Sequence, residues 1–215
     1  MVGTANADFQ GIEWDVVNNS EFGTTFRVYA MMDPGDRLDA VAGNSSQPLS
    51  FSSQGDFYQN VNGGPTSKEI NSNFFPFVPS LEWDSYVTVG ALYQDGFPFG
   101  ENNLNNVGID WGSFESGADL YTDNGTYFVT PDQQQGQAIE VQTNAGNGYG
   151  VLIAQLTVSY PRALFSGLLQ GKDANGDTWQ ASVNDAVIGQ LTPPAPGALA
   201  VLAIAGFAGP RRRRG

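Results

Sequence analysis

The chain contains no cysteine and no histidine. Without cysteine there is no disulfide framework, no thiol nucleophile, and no thiolate to hold zinc or an iron–sulfur cluster. Without histidine, imidazole metal sites and the serine–histidine type of nucleophilic relay are excluded as well. Carboxylates, hydroxyl groups and hard-cation sites built from oxygen remain. That short inventory sets the expectation of a protein that is not an enzyme. Basic residues are also scarce, 9 Lys+Arg against 22 Asp+Glu. Four of the nine are Arg211 to Arg214, so the rest of the chain holds five against 22, a balance of −17. Such a field repels nucleic acid and anionic surfaces. It is best tolerated where salt screens self-repulsion.

Helical periodicity is missing too, and no helix of note is expected between the termini. The 27 glycines, with many Asn, Asp and Ser, recur as turn signals every ten or so residues. Short segments rich in β-branched and aromatic residues lie between them. This pattern predicts an all-β fold, an antiparallel β-sandwich of jelly-roll-like type. Strands are expected at 12–17, 24–31, 38–42, 49–52, 86–92, 107–111, 127–130, 150–159, 164–170 and 178–183. In Thr24–Ala30 the alternation points Phe26, Val28 and Ala30 to the core and Arg27 and Tyr29 away from it. The apolar run Val151–Val158 reads as a central strand. Asn124-Gly125 and Asn175-Gly176 read as tight hairpin turns.

The chain divides into three parts. Thr4-Ala5-Asn6-Ala7 before Asp8 has the small-x-small pattern of a secretory cleavage site, so residues 1–7 are expected to be the remnant of an export signal. Residues 8–191 form the β-sandwich domain. Residues 192–215 differ in composition: Pro193-Pro194-Ala195-Pro196-Gly197, an apolar run from Ala198 to Ala208, and the cluster Arg211, Arg212, Arg213 and Arg214. Proline breaks the preceding structure, the apolar run suits a lipid interior, and the arginines favour the cytoplasmic side.

In that order, these three features resemble the PEP-CTERM sorting signal of Gram-negative bacteria. Ala195 stands where the family has glutamate between Pro194 and Pro196. The resemblance implies export and transient membrane retention through a short C-terminal hydrophobic helix. It also implies processing near Pro194-Ala195-Pro196 by an exosortase-type enzyme. The destination would be the cell envelope or extracellular matrix, with a structural or adhesive role. The β body resembles secreted modules of environmental bacteria, on the stretches Gly23–Ala30 and Asp36–Asn44.

Within the body, Glu13-Trp14-Asp15 and Glu82-Trp83-Asp84 repeat one tripeptide. On a strand, Glu and Asp would share a face and Trp would take the other. Glu13, Asp15, Glu82 and Asp84 are therefore candidate ligand-binding residues, for an extracellular polysaccharide or a cation. Paired carboxylates also serve a glycoside hydrolase, which makes a carbohydrate-binding module or a carboxylate glycosidase the alternative function. The plain reading is that Trp14 and Trp83 anchor the core with solvated acids behind them. Asp173, Asn175 and Asp177 alternate as calcium ligands do, but Gly176 comes too early for an EF-hand and no closing acid follows. Asp119 and Asp123 form a second candidate Ca2+ site. Tyr29, Tyr58 and Tyr93 are candidates for stacking on sugar rings.

Overall fold

The computed structural model describes residues 9–189. The remnant of an export signal, the C-terminal hydrophobic helix and the Pro194–Arg214 sorting signal lie outside the described residues. Among the described residues no helix is long and apolar enough to cross a membrane.

The fold is all-β, with two antiparallel sheets. The strands are β1 (Gly11–Ser20), β2 (Gly23–Met31), β3 (Arg37–Gly43), β4 (Leu49–Ser53), β5 (Tyr86–Val87), β6 (Asn105–Val107), β7 (Leu120–Thr122), β8 (Gly125–Phe128), β9 (Ile139–Thr143), β10 (Gly146–Val158), β11 (Arg162–Lys172) and β12 (Thr178–Gly189). One sheet runs β1-β2-β10-β5, with β9 also on β10. The other runs β6-β8-β3-β11-β4-β7, with β12 on β11. Strands β3 and β4 lie end to end along one side of β11, at Leu168–Lys172 and Ala163–Ser166, and β12 takes the other side.

One core fills the space between the sheets. Phe26, Val28, Ala30 and Leu156 from the first sheet meet Leu38, Val41, Phe51 and Leu169 from the second, all buried. The buried Tyr127 of β8 donates its hydroxyl to the Ile153 carbonyl of β10 at 3.1 Å, tying the layers together. Arg37 and Asp39 form a buried ion pair. The same guanidinium donates to the carbonyls of Thr130 and Gln133, which fastens the 130–137 segment over the end of β3. Buried charge is tolerated here because the pair is closed and the guanidinium gives further hydrogen bonds to two carbonyls.

The segment between β4 and β6 forms an extra layer on the outer face of the first sheet. It holds two 3-10 turns, Ser72–Phe74 and Pro79–Trp83, and then lends β5 to the sheet itself. Its own small core is Ile70, Leu81 and Tyr86, flanked by Phe75, Val78 and Tyr93. Side chains of β10 hold it down. Gln155 donates to the carbonyls of Glu82 and Asp84 at 2.9 and 3.1 Å. Thr157 donates its hydroxyl to the carbonyl of Trp83.

Several expectations are corrected. The strand expected at 86–92 stops at Val87; Gly90 turns to φ +74° where any Cβ would meet the Gln135 carbonyl. The strand expected at 107–111 is instead Asn105–Val107. Gly108, at φ +74°, ends it, and the helical turn α1 (Gly112–Glu115) follows. Strands β7 and β9 were not anticipated. Asn124-Gly125 joins β7 to β8, but these strands pair with β4 and β3 rather than with each other, so it is no hairpin. Asn175-Gly176 does turn the β11–β12 hairpin, with Gly176 at φ +90°.

Candidate functional site

The alternation of β1 and β2 places Asp15, Arg27 and Tyr29 on the outer face of the first sheet. Their neighbours Trp14, Phe26 and Val28 face the core, where the Trp14 ring meets Phe26 edge-on at 5.4 Å. Asp15 is paired in register with Arg27, Arg27 with Gln155, and Gln155 with Tyr86. A polar row therefore crosses the sheet. Around it lies a cleft of about 320 Å3. Asp15, Arg27 and Tyr29 line its floor. Gly90, Leu92 and Phe97 to Phe99 of the added layer form one wall, and Gln137 with Ile139–Gln142 of β9 the other.

The β9–β10 hairpin closes one end. The backbone N–H of Asn144 at its tip donates to the Trp14 carbonyl at 2.8 Å. With its side-chain amide nitrogen turned to the same side, Asn144 also donates to Glu13 Oε2 at 2.7 Å. Phe97, 61% exposed, also lines the cleft.

Arg27 is the cation of the cleft. Its Nε donates to Gln155 Oε1 at 3.3 Å and an Nη to the Tyr93 hydroxyl at 3.4 Å. Gln155 is fully buried, and both protons of its amide nitrogen are taken by the carbonyls of Glu82 and Asp84. Its oxygen is thus committed to Arg27. Among the described residues the one ion pair within 4 Å is Arg37–Asp39, so Asp15 is a neighbour of Arg27 without closing a salt bridge. The other Nη carries no hydrogen bond to a described residue. Burial raises the pKa of the Tyr29 hydroxyl; Arg27 opposes that and Asp15 adds to it. Tyr93 is raised by burial too, again against Arg27.

The four acids singled out from the sequence do not converge. Asp15 lines the cleft, and Glu13 is engaged by Asn144 at the hairpin tip. Glu82 lies in the 3-10 turn begun by Pro79 and Asp84 is the extended residue that caps its end, so the pair is not on a strand. Proline sets the helical φ of that turn, and the repeated tripeptide takes two different backbones. Asp84 is fully buried and accepts from the N–H groups of Asn60 (2.7 Å), Ser85 (3.1 Å) and Gly64 (3.3 Å). Burial outweighs these amides and pushes its pKa up to about 7. Gly63 must lack a side chain here, because a Cβ would collide with Asp84 Oδ2. This carboxylate clamps the 60–64 loop.

Among the described residues no group of three or more acids is placed to hold a metal ion. Asp173 Oδ1 accepts from the N–H groups of Asn175 and Asp177, at 2.9 and 2.8 Å. Those bonds hold the Asp173 carboxyl below its ordinary pKa, the Asp177 amide contributing most. Asp119 accepts from the Ser53 N–H on β4, while Asp123 lies in the β7–β8 turn. Of the three tyrosines, Tyr29 lines the cleft, Tyr93 accepts a hydrogen bond from Arg27, and Tyr58 packs on Phe22 at 4.5 Å, outside the cleft. Sequence reasoning missed Arg27, Glu140 and Phe97. An outward arginine in so acidic a body was the one signal available for Arg27.

No protein-family model matches this chain, and neither a curated protein nor a solved structure does.

Proposed function

We propose that this is an exported protein of the cell envelope or extracellular matrix of a Gram-negative bacterium. Its role is adhesive: a jelly-roll-like body holds an extracellular saccharide in the cleft on the outer face of its first sheet. The C-terminal hydrophobic helix retains it transiently in the membrane until an exosortase-type enzyme processes the tail near Pro194-Ala195-Pro196. The observation that carries the binding role is the pairing of a polar floor, Asp15 and Arg27, with the exposed ring of Phe97 in one cleft. Sugars present hydroxyl groups at their edges and C–H groups on their faces. Hydrogen-bonding side chains and an aromatic ring answer these two surfaces.

A glycan array with the purified 8–191 body tests the binding role, with Phe97→Ala as control. Specific binding that Phe97→Ala weakens supports it; an array without any binding refutes it. Fractionation of the host with an antibody to the body tests the sorting. Envelope or extracellular protein with a shortened tail is expected, and purely cytoplasmic full-length protein would end that part of the proposal.

A second reading is a carboxylate glycosidase. It is favoured by one observation, that Asp15 and Glu140 line the same cleft. Release of reducing ends from a bound glycan, abolished by Glu140→Gln, would establish it. Binding without turnover would leave the adhesive reading.

A further inference from the structure

The ligand class of this cleft is written in its charges. We infer that the cleft selects neutral saccharides with neighbouring hydroxyl groups and discriminates against uronate-bearing ones, with Asp15 and Arg27 as the specificity pair. This rests on the saccharide-binding role proposed above. Three charged residues line the cleft: Asp15, Glu140 and Arg27, a formal charge of −1. The surrounding body carries a balance of −17 outside its arginine tail. An anionic ligand would enter against this field, and the cleft's single cation cannot offset it. A neutral ligand meets no such barrier.

The pair is built for a hydroxyl group that must both give and receive. Asp15 only accepts hydrogen bonds, and Arg27 only donates them. They are direct cross-strand neighbours, yet they form no ion pair within 4 Å. Adjacent hydroxyls of a sugar ring can donate to the carboxylate and accept from the guanidinium. Both charges stay compensated without meeting each other.

The guanidinium is held by two neighbours. Gln155 and Tyr93 take Nε and one Nη, and leave the other Nη without a partner among the described residues. Gln155 is a positioning residue. Buried, with its amide protons committed to Glu82 and Asp84, it presents a fixed acceptor to Arg27. A lysine in place of Arg27 would keep the charge and lose the fork that Gln155 and Tyr93 grip.

The test compares affinities of the 8–191 body for neutral oligosaccharides and for their uronate counterparts of equal length. The wild-type protein should favour the neutral set. Asp15→Asn removes the repelling charge without disturbing the core. It should weaken neutral binding about tenfold, as loss of a charged hydrogen bond does, and narrow the neutral-to-uronate ratio. Arg27→Lys should weaken neutral binding by a similar factor and, by taking the Nε donor from the buried Gln155 oxygen, lower the melting temperature somewhat. Preference of the wild type for uronates or for amino sugars overturns this inference and leaves the saccharide-binding role standing, as does an unchanged ratio in Asp15→Asn. Absence of binding to every glycan overturns both.

Discussion

Asp84 makes the stability of this protein depend on pH in a direction opposite to that of an ordinary salt-bridged carboxylate. Its pKa is raised from 3.8 to about 7 because burial disfavours the charged form. Between these values the folded protein holds a proton that the unfolded chain has released. Stability therefore falls as pH rises. The contribution is fully present below 3.8 and lost above about 7. A shift of about three units, at 1.36 kcal/mol each, corresponds to about 4 kcal/mol across the window. Asp84→Asn isolates this effect. The amide oxygen can still accept from Asn60 and Ser85. Its nitrogen, however, faces the Gly64 N–H, a fixed penalty that does not titrate. Urea denaturation followed by tryptophan fluorescence, from about pH 4 to about pH 8, should show the variant gaining on the wild type by about 4 kcal/mol. Repulsion among the other acids is common to both proteins and cancels. Parallel pH profiles would refute the reasoning. A wild type that gains on the variant as pH rises would mean that the three amides outweigh burial.

Other outcomes follow from single contacts. Gly171→Ala would drive a Cβ into the Arg37 carbonyl and the Trp179 ring, and should cost about 3 kcal/mol or more in chemical denaturation. Tyr127→Phe removes the hydroxyl that bridges the two sheets and leaves the Ile153 carbonyl one donor short, a loss of about 1 to 2 kcal/mol by the same assay. Calcium and ionic-strength-matched sodium should raise the melting temperature equally, because the Asp173 carboxylate is already taken by backbone amides. Greater stabilisation by calcium would point to a cation site and contradict this.

What could be read from the chain alone depended on how local the information is. Thr24–Ala30 announces its strand because alternation is a nearest-neighbour property, and Phe26 and Val28 do face the core. The Asn175-Gly176 turn is similarly local. Arg27 is different. Its orientation was legible, but its partners Gln155 and Tyr93 lie 128 and 66 positions away, and no pattern joins them. The one-face argument for Glu13-Trp14-Asp15 does not carry over to Glu82-Trp83-Asp84, because those residues follow Pro79, which starts a 3-10 turn. β9 was missed although Ile139-Glu140-Val141 alternates, because the flanking residues are polar. The cleft combines a legible floor with two walls that are set by tertiary packing.

The central strand of each sheet comes late in the chain. β10 joins β2 to β5 and β9, and β11 joins β12 to β3 and β4. Until residues 146–172 are available, β2 has only β1 beside it, while β3 and β4 have only their outer neighbours β8 and β7. The β1-β2 and β4-β7 pairs are then two-stranded ribbons, marginal in water, β6-β8-β3 is a short three-stranded piece, and the missing pairings are distant in sequence, which slows folding. The first two-thirds of the polypeptide therefore lacks the strand that joins its pieces in either sheet. The export proposed above would benefit from this order, since a chain still lacking its two joining strands can be fed through a membrane extended and close on the far side.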